Sequence, residues 1–283
     1  MTPSPPAIEL ASTDGVRLPV HRLNQSQGAA ILIAHATGFH GRAYQPFARA
    51  FGRMEAWGPD LRGHGDATSP AGGGYDWEGF AEDVLAVAEW LGRPVFGFGH
   101  SMGGAALLLA EIHRPGTFRA LYCWEPIVYP PRFRDAGSSP LVERSRRRRG
   151  TFASLEEAID NFSAKPPLDS LHPQALRAYV EHGFAATRDG SRTLKLSGPE
   201  EAEVYRMSLR HETFGRLSEV ACPVTVARGR RADGGAAQIA EEVVSALPDG
   251  RLQAWDGRGH FGPLEDPAGI GRAVEGALLA AVQ

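Results

Sequence analysis

Strand-like and helix-like stretches alternate over the first half of the chain. Short apolar runs rich in β-prone residues predict strands, and residues 77–91 carry apolar side chains at helical spacing on one side. Such alternation predicts an α/β fold with a mostly parallel sheet that helices cover on both faces. The predicted strands of this half span residues 8–11, 17–23, 30–35, 54–59, 95–98 and 120–124, and the predicted helices span residues 44–51 and 77–91.

The alternation stops at Pro126 and resumes at Cys222. The segment between them is charged, rich in proline and helical in character, without strand-like runs; its clearest helices are predicted at residues 155–162, 173–183 and 199–210. Two strand-like runs follow, at residues 223–227 and 250–255, and then a helix that starts near Asp266. The sequence therefore predicts an α/β core made of residues 1–126 and 218–283, with a helical insertion at residues 127–217.

Residues 99–103 read G-x-S-x-G between a predicted strand and a predicted helix. This is the context of a nucleophile elbow, a sharp turn that exposes a serine above the amino terminus of a helix. Gly99 and Gly103 suit the turn, because a Cβ at either position would clash as strand folds back on helix. A dinucleotide-binding loop with Glu125 as the ribose ligand is a weaker alternative, since the glycine spacing is one residue too long. We therefore predict Ser101 as a nucleophile.

The partners of such a serine follow it in the order acid, then histidine. His260 lies on a glycine-flanked loop after the last predicted strand, and Asp233 lies just past the end of the strand at residues 223–227. An aspartate there can accept the Nδ1–H of the histidine and stabilise the imidazolium. Glu125, just past the sixth predicted strand, is the alternative acid or a pocket residue. We favour Asp233.

An acyl-transfer site also needs donors for the developing oxyanion. The backbone N–H of Met102, the residue after the predicted nucleophile, is expected to be one of them. The second is expected from the loop after the strand at residues 30–35. We predict the N–H of Thr37, with Gly38 and Phe39 as alternatives.

Five segments carry these features: residues 35–39 (HATGF), 60–65 (DLRGHG), 99–104 (GHSMGG), 229–233 (GRRAD) and 257–261 (GRGHF). Together they resemble the α/β-hydrolase superfamily, in its branch of serine esterases, lipases and haloperoxidase-like enzymes. The resemblance implies an eight-stranded, mostly parallel sheet with a helical cap inserted after the sixth strand. It also implies hydrolysis of a carboxylic ester through an acyl-enzyme on a Ser-His-Asp triad. Thioesterase, lactonase and carbon–carbon hydrolase activities share that triad, and a non-catalytic ligand-binding member of the fold is a further alternative.

Caps of this superfamily usually line the substrate pocket. The predicted pocket residues are His35, Phe39, Glu125, Tyr179, Phe184, Tyr205 and Phe261. Arg144 and residues 146–149 form the densest run of charge. It is either a clamp for a carboxylate, a phosphate or an acyl-carrier group, or a solvated helix face. Five arginines at successive helical positions cannot all face one pocket, which favours the second interpretation.

Composition narrows the other function classes. The formal net charge of −3 gives no sign of a nucleic-acid partner, and the ten histidines are scattered without metal-ligand spacing. The amino terminus lacks signal-peptide features, and no apolar run approaches the roughly 20 residues that cross a bilayer. Cys123 and Cys222 are predicted as buried thiols. We expect a cytoplasmic monomer or homodimer that acts on a small acyl substrate with no cofactor, no metal and no membrane partner.

Overall fold

The computed structural model describes residues 7–133, 139–231 and 235–283. Within them, eight strands form one sheet. The strands span Ile8–Ala11 (β1), Arg17–Arg22 (β2), Ala29–Ala34 (β3), Met54–Pro59 (β4), Val95–His100 (β5), Phe118–Trp124 (β6), Val224–Gly229 (β10) and Gly250–Trp255 (β11). Their order in the sheet is β1-β2-β4-β3-β5-β6-β10-β11. The strand β2 pairs antiparallel with β1 and with β4, and all other neighbours in this sheet are parallel.

Helices cover both faces of this sheet. On one face α2 (Trp77–Trp90), α3 (Met102–His113) and α9 (Ala240–Ala246) pack on the apolar side chains of the strands. On the other face lie α1 (Gln45–Ala48) and α11 (Pro267–Ala280). Two short helices, α8 (Gly235–Gln238) and α10 (Gly262–Glu265), follow β10 and β11. The predicted α/β-hydrolase fold is therefore confirmed, and the carboxyl ends of the parallel strands meet along one edge, where ligands bind in such sheets.

The segment between β6 and β10 holds further helices and is called the cap. Its helices are α4 (Pro140–Arg146), α5 (Leu155–Ser163), α6 (Pro173–Gly183) and α7 (Gly198–Met207), with α4 packed on α7 and α5 on α6. It also holds a small antiparallel sheet of β7 (Thr151–Phe152), β8 (Phe184–Ala186) and β9 (Arg192–Leu194), in the order β7-β9-β8. The expectation of a segment without strands is wrong here, because strands of two or three residues are too short to show an alternating pattern.

A buried ion pair fixes the loop after β4. Arg62 donates from Nε and Nη2 to the two carboxylate oxygens of Asp83 on α2, at 3.0 and 2.9 Å, and both side chains are almost fully buried. Ser12 donates a further hydrogen bond to Asp83, and the more exposed Asp14 accepts one from Arg62. These contacts join the first hairpin, the loop at residues 60–66 and α2 into one unit beneath the cap.

Both cysteines are buried and unpaired, as predicted. No helix in the described ranges has the length and apolar character that crossing a membrane requires.

Candidate active site

Ser101 lies at the tight turn between β5 and α3. Its backbone angles, φ 55° and ψ −114°, are rare for a residue with a side chain, so the surrounding packing must hold them in place. Ser101 N–H donates to the carbonyl of Trp124, which ties the turn to β6. A Cβ at Gly103 would overlap the carbonyl oxygen of Ala34, and one at Gly99 would overlap Gly104. The two glycines are therefore required by close backbone approach, as the motif predicts.

His260 lies in the loop after β11. Its Nδ1 lies 2.7 Å from Oε2 of Glu125, at hydrogen-bond distance. Glu125 Oε1 accepts from the backbone N–H of Gly229 at 2.9 Å, so both oxygens of this buried carboxylate are engaged. The backbone of Glu125 has a φ of 42°, in the left-handed region that costs a non-glycine residue free energy. The strands β6 and β11 lie on either side of β10 in the sheet. Glu125 follows β6 and His260 lies after β11, so the two side chains meet across the end of β10.

Asp233, the acid that the sequence favours, lies outside the described residues, so its prediction stays untested by the structure. The carboxylate on His260 is that of Glu125, the alternative. Ser101 and His260 both line one cavity, and among the described residues no hydrogen bond joins their side chains. Such contacts often tighten only when substrate is bound.

Free backbone N–H groups lie beside Ser101. In the loop after β3, the N–H of Ala36 donates to Tyr44 Oη and that of Phe39 donates to the Ala36 carbonyl. Within the described residues, the N–H groups of Thr37 and Gly38 have no acceptor, and neither has that of Met102 at the start of α3. The N–H groups of Thr37, Gly38 and Met102 are therefore available to a ligand, whereas that of Phe39 is already engaged.

The cavity above Ser101 has a volume of about 700 Å³. The core contributes Thr37, Phe39, Glu125, His260 and Phe261 to its lining. The cap contributes apolar and aromatic side chains, among them Leu141, Phe162, Leu168, Tyr179, Tyr205 and Leu209. It also contributes the charged side chains of Arg144, Arg148 and Glu201. Five of the seven predicted pocket residues are thus in its wall.

His35 and Phe184 differ from the prediction because they lie outside this lining. His35 is fully buried; its Nε2 accepts from Leu61 N–H and its Nδ1 donates to the Ala36 carbonyl. Burial lowers the pKa of His35 to about 3 and so keeps the ring neutral. Phe184 packs inside the cap against Phe152 and Phe162. Both side chains support the site rather than line it.

Two supporting contacts are not visible in the sequence. Tyr44 Oη lies 2.7 Å from Nδ1 of His100, the residue before the serine, and also holds the loop at Ala36. On the cap side, Glu201 forms a buried ion pair with Arg148 and lies directly over Gly38, where an added Cβ would be 2.6 Å from Glu201 Oε1. These partners are far apart along the chain and belong to no motif, so only the fold reveals them.

The arginine run divides between two environments. Arg144 and Arg148 line the cavity. Arg146 and Arg147 instead approach Glu143, and Arg149 pairs with Glu157. Neither interpretation of the run holds for all five arginines, because two of them line the cavity while the other three approach glutamates elsewhere.

Comparison with known proteins supports the assignment of the fold. A family model described as "Alpha/beta hydrolase family" matches residues 31–273. Human monoglyceride lipase is 33% identical over 107 residues, which are 35% of this chain and 35% of the lipase; the alignment thus spans about a third of this curated relative.

Solved structures resemble nearly the whole chain. The hydrolase of E-2-(acetamidomethylene)succinate superposes with a TM-score of 0.79 at 21% identity, covering 95% of this chain and 98% of that one. A thermophilic esterase from Thermogutta terrifontis superposes with a TM-score of 0.72 at 18% identity, covering 98% and 99%. At such identities these likenesses show the fold alone. With the family match over most of its length, the chain belongs to the alpha/beta hydrolase family.

Proposed function

We propose that this protein is a serine hydrolase of carboxylic esters, with Ser101 as nucleophile, His260 as general base and Glu125 as the acid that orients it. The observation that carries the proposal is the 2.7 Å contact between His260 Nδ1 and Glu125 Oε2 at the edge of the cavity that Ser101 also lines. A carboxylate on Nδ1 leaves Nε2 free to take a proton from a hydroxyl.

In this mechanism, Ser101 Oγ attacks the ester carbonyl while His260 Nε2 takes the hydroxyl proton. Glu125 stabilises the imidazolium that results. The N–H groups of Met102 and of Thr37 or Gly38 donate to the tetrahedral oxyanion. His260 then protonates the departing alcohol, and in the second half it activates the water that releases the acid from the acyl-enzyme.

The cavity favours an acyl compound of small to medium size with an apolar body. Phe39, Phe261, Phe162 and Leu168 are among the side chains that would surround such a body. The relation to monoglyceride lipase over part of the chain is consistent with an ester as substrate. Because the proposed nucleophile is a serine, chemistry through an alkyl-enzyme on an aspartate is disfavoured.

The proposal is tested by labelling with a fluorophosphonate and by hydrolysis of p-nitrophenyl esters of increasing chain length. We expect covalent labelling at Ser101 and turnover of the shorter esters. Ser101→Ala should keep the unfolding temperature and lose about 10⁴–10⁶ in turnover. Absence of labelling in the folded wild type would contradict the proposal and favour a ligand-binding protein on this fold.

A further inference from the structure

One face of the chain at the start of the cap points into the cavity. Leu141, Arg144 and Ser145 of α4 line it, at spacings that place side chains on the same side of a helix, and Arg148, two residues beyond the end of α4, lines it too. The intervening Arg146 and Arg147 lie close to Glu143, away from the cavity. Two guanidinium groups therefore line the cavity that Ser101 also lines, that of Arg148 half-buried and that of Arg144 exposed.

Arg144 and Arg148 differ in whether a carboxylate pairs with the guanidinium group. Arg148 forms an ion pair with Glu201 and donates to Tyr179 Oη at 2.7 Å. Arg144 donates to the backbone carbonyl of Pro166 at 2.8 Å and, among the described residues, forms no ion pair. Since an arginine carries five N–H donors, most donors of Arg144 remain available.

Tyr205 adds a second available donor. It lines the cavity, and its hydroxyl forms no hydrogen bond with any described residue. Arg144, Arg148, Tyr179 and Glu201 all act on its ionisation: burial raises the pKa of Tyr205, while the two arginines oppose that increase. The hydroxyl of Tyr205 thus lies within the field of both guanidinium groups, and α7, which carries Tyr205, packs on α4, which carries Arg144.

The charges that line the cavity do not cancel. Its cationic groups are Arg144, Arg148 and Lys165, and its carboxylates are Glu125 and Glu201. Glu125 is bound to His260, and Glu201 is bound to Arg148. Lys165 donates to the uncharged Asn161 at 2.6 Å. Two cations therefore face an otherwise largely apolar cavity without a carboxylate partner among the described residues.

The polar cluster formed by Arg144, Arg148 and Tyr205 lines the same cavity as Ser101 and His260. Tyr179, which Arg148 contacts, packs on Phe39 with ring centroids 4.9 Å apart, and Phe39 packs on Phe261 beside His260 at 5.4 Å. Glu201 lies over Gly38 in the loop that offers the oxyanion donors. The packed rings of Tyr179, Phe39 and Phe261 thus connect Arg148 to the neighbour of His260.

We propose that Arg144 and Tyr205, supported by Arg148, form a binding site for a carboxylate on the ester substrate. A carboxylate accepts several hydrogen bonds at once, and those from a charged donor are about twice as strong as neutral ones. The substrate would then be an ester with an apolar middle and an anionic end. This inference rests on the proposed function, because it assigns the substrate class of the same cavity.

Two pairs of esters test the inference, one for each side of the scissile bond. Mono-p-nitrophenyl adipate is compared with its neutral methyl ester, and 6-acetoxyhexanoate is compared with its methyl ester. In the wild type we expect kcat/KM to be at least about tenfold higher for the free acid in one of the pairs, as one charge-assisted hydrogen-bond pair allows.

Arg144→Gln and Tyr205→Phe should each lower that preference at least about fivefold, mostly through a higher KM for the free acid. Arg146→Gln is the matched control, because it removes the same charge from the other face of the helix, and it should change neither ester. Equal effects of Arg144→Gln and Arg146→Gln would overturn the carboxylate site. So would the lack of any preference for a free acid in an enzyme that hydrolyses neutral esters well. Failure to hydrolyse all four esters, with Ser101 unlabelled, would instead overturn the proposed function and the substrate class with it.

Discussion

At the scale of single residues, Glu125 carries the most consequence. Its backbone is strained, with a φ of 42°, and both of its carboxylate oxygens are held, one by His260 and one by Gly229 N–H. Strain of this kind persists only where the surroundings determine it, and it concentrates at functional sites. The proposed role of Glu125 as the acid therefore has a direct test.

Glu125→Gln should lower turnover of p-nitrophenyl esters by about 10⁴, as loss of the correct histidine tautomer does in a serine-protease triad. The protein should stay folded, since the amide keeps the shape of the side chain. Asp233→Asn is the comparison, and we expect it to change turnover less than about tenfold. A larger loss with Asp233→Asn would show that the acid follows β10 and not β6.

The sequence could not decide between these two carboxylates. Glu125 and Asp233 follow neighbouring parallel strands, β6 and β10, so both come from the same edge of the sheet. Order along the chain fits either of them, because each lies between Ser101 and His260. The choice depends on which loop turns toward the imidazole, and no local pattern encodes that direction.

At the scale of elements, the elbow is closely packed, because a Cβ at Gly99 or Gly103 would overlap neighbouring backbone atoms. We expect Gly103→Ala to lower the free energy of unfolding by about 3 kcal/mol or more, because its Cβ would overlap the backbone of β3. Gly276→Ala in α11 is the control, since open space surrounds that position; it should stabilise the protein by about 0.5–1 kcal/mol. Urea unfolding followed by circular dichroism measures both. Similar stabilities of the two variants would contradict the packing described for the elbow.

The buried pair of Arg62 and Asp83 gives a second test of an element. Asp83→Asn leaves the buried guanidinium without its buried charge partner, with only the exposed Asp14 remaining, so the free energy of unfolding should fall by about 3–5 kcal/mol. Asp14→Asn removes the exposed partner of the same arginine and should cost less than about 1 kcal/mol. The difference between the two variants in chemical denaturation is the measurement. Equal losses would mean that burial of Asp83 contributes nothing.

The elements themselves could be predicted well where their patterns are long. The helix α2 differs from its predicted range by one residue, and β4 and β11 match theirs. The short strands of the cap and the contact between Arg148 and Glu201 could not be predicted, because they depend on segments that meet only in the fold. Hydrophobic periodicity reports which side of an element is buried, but it does not report what covers it.

At the scale of the whole molecule, buried histidines make stability depend on pH. Burial lowers the pKa of His35 to about 3 and the pKa values of His40 and His64 to about 4. In the unfolded chain these groups titrate near 6.5, so the unfolded state binds more protons between roughly pH 6.5 and pH 4. The stability that the three neutral rings contribute is fully present above that pH range and is lost as the pH falls through it.

We therefore expect the free energy of unfolding to fall between pH 7 and pH 5, with each of the three histidines contributing up to about 2 kcal/mol at pH 5. Denaturation curves at several pH values measure the loss, and the slope gives the number of protons taken up on unfolding. A stability that is constant from pH 7 to pH 5 would contradict the neutral, buried state of these rings.

The junction between core and cap has a consequence for recombining this protein with its relatives. Glu125 lies two residues before the predicted insertion, which begins at Ile127. Its backbone N–H donates to the Ala227 carbonyl of β10, and Ile127 N–H donates to the carbonyl of Ser101. The start of the inserted segment is thus hydrogen-bonded to the elbow through Ile127. A chimera that receives a foreign cap should keep its own residues through Ile127, so that the donor sequence begins only beyond that bond. Crossing over three residues earlier, after Trp124, would exchange the carboxylate on His260 together with the cap, and specificity could then not be varied apart from rate.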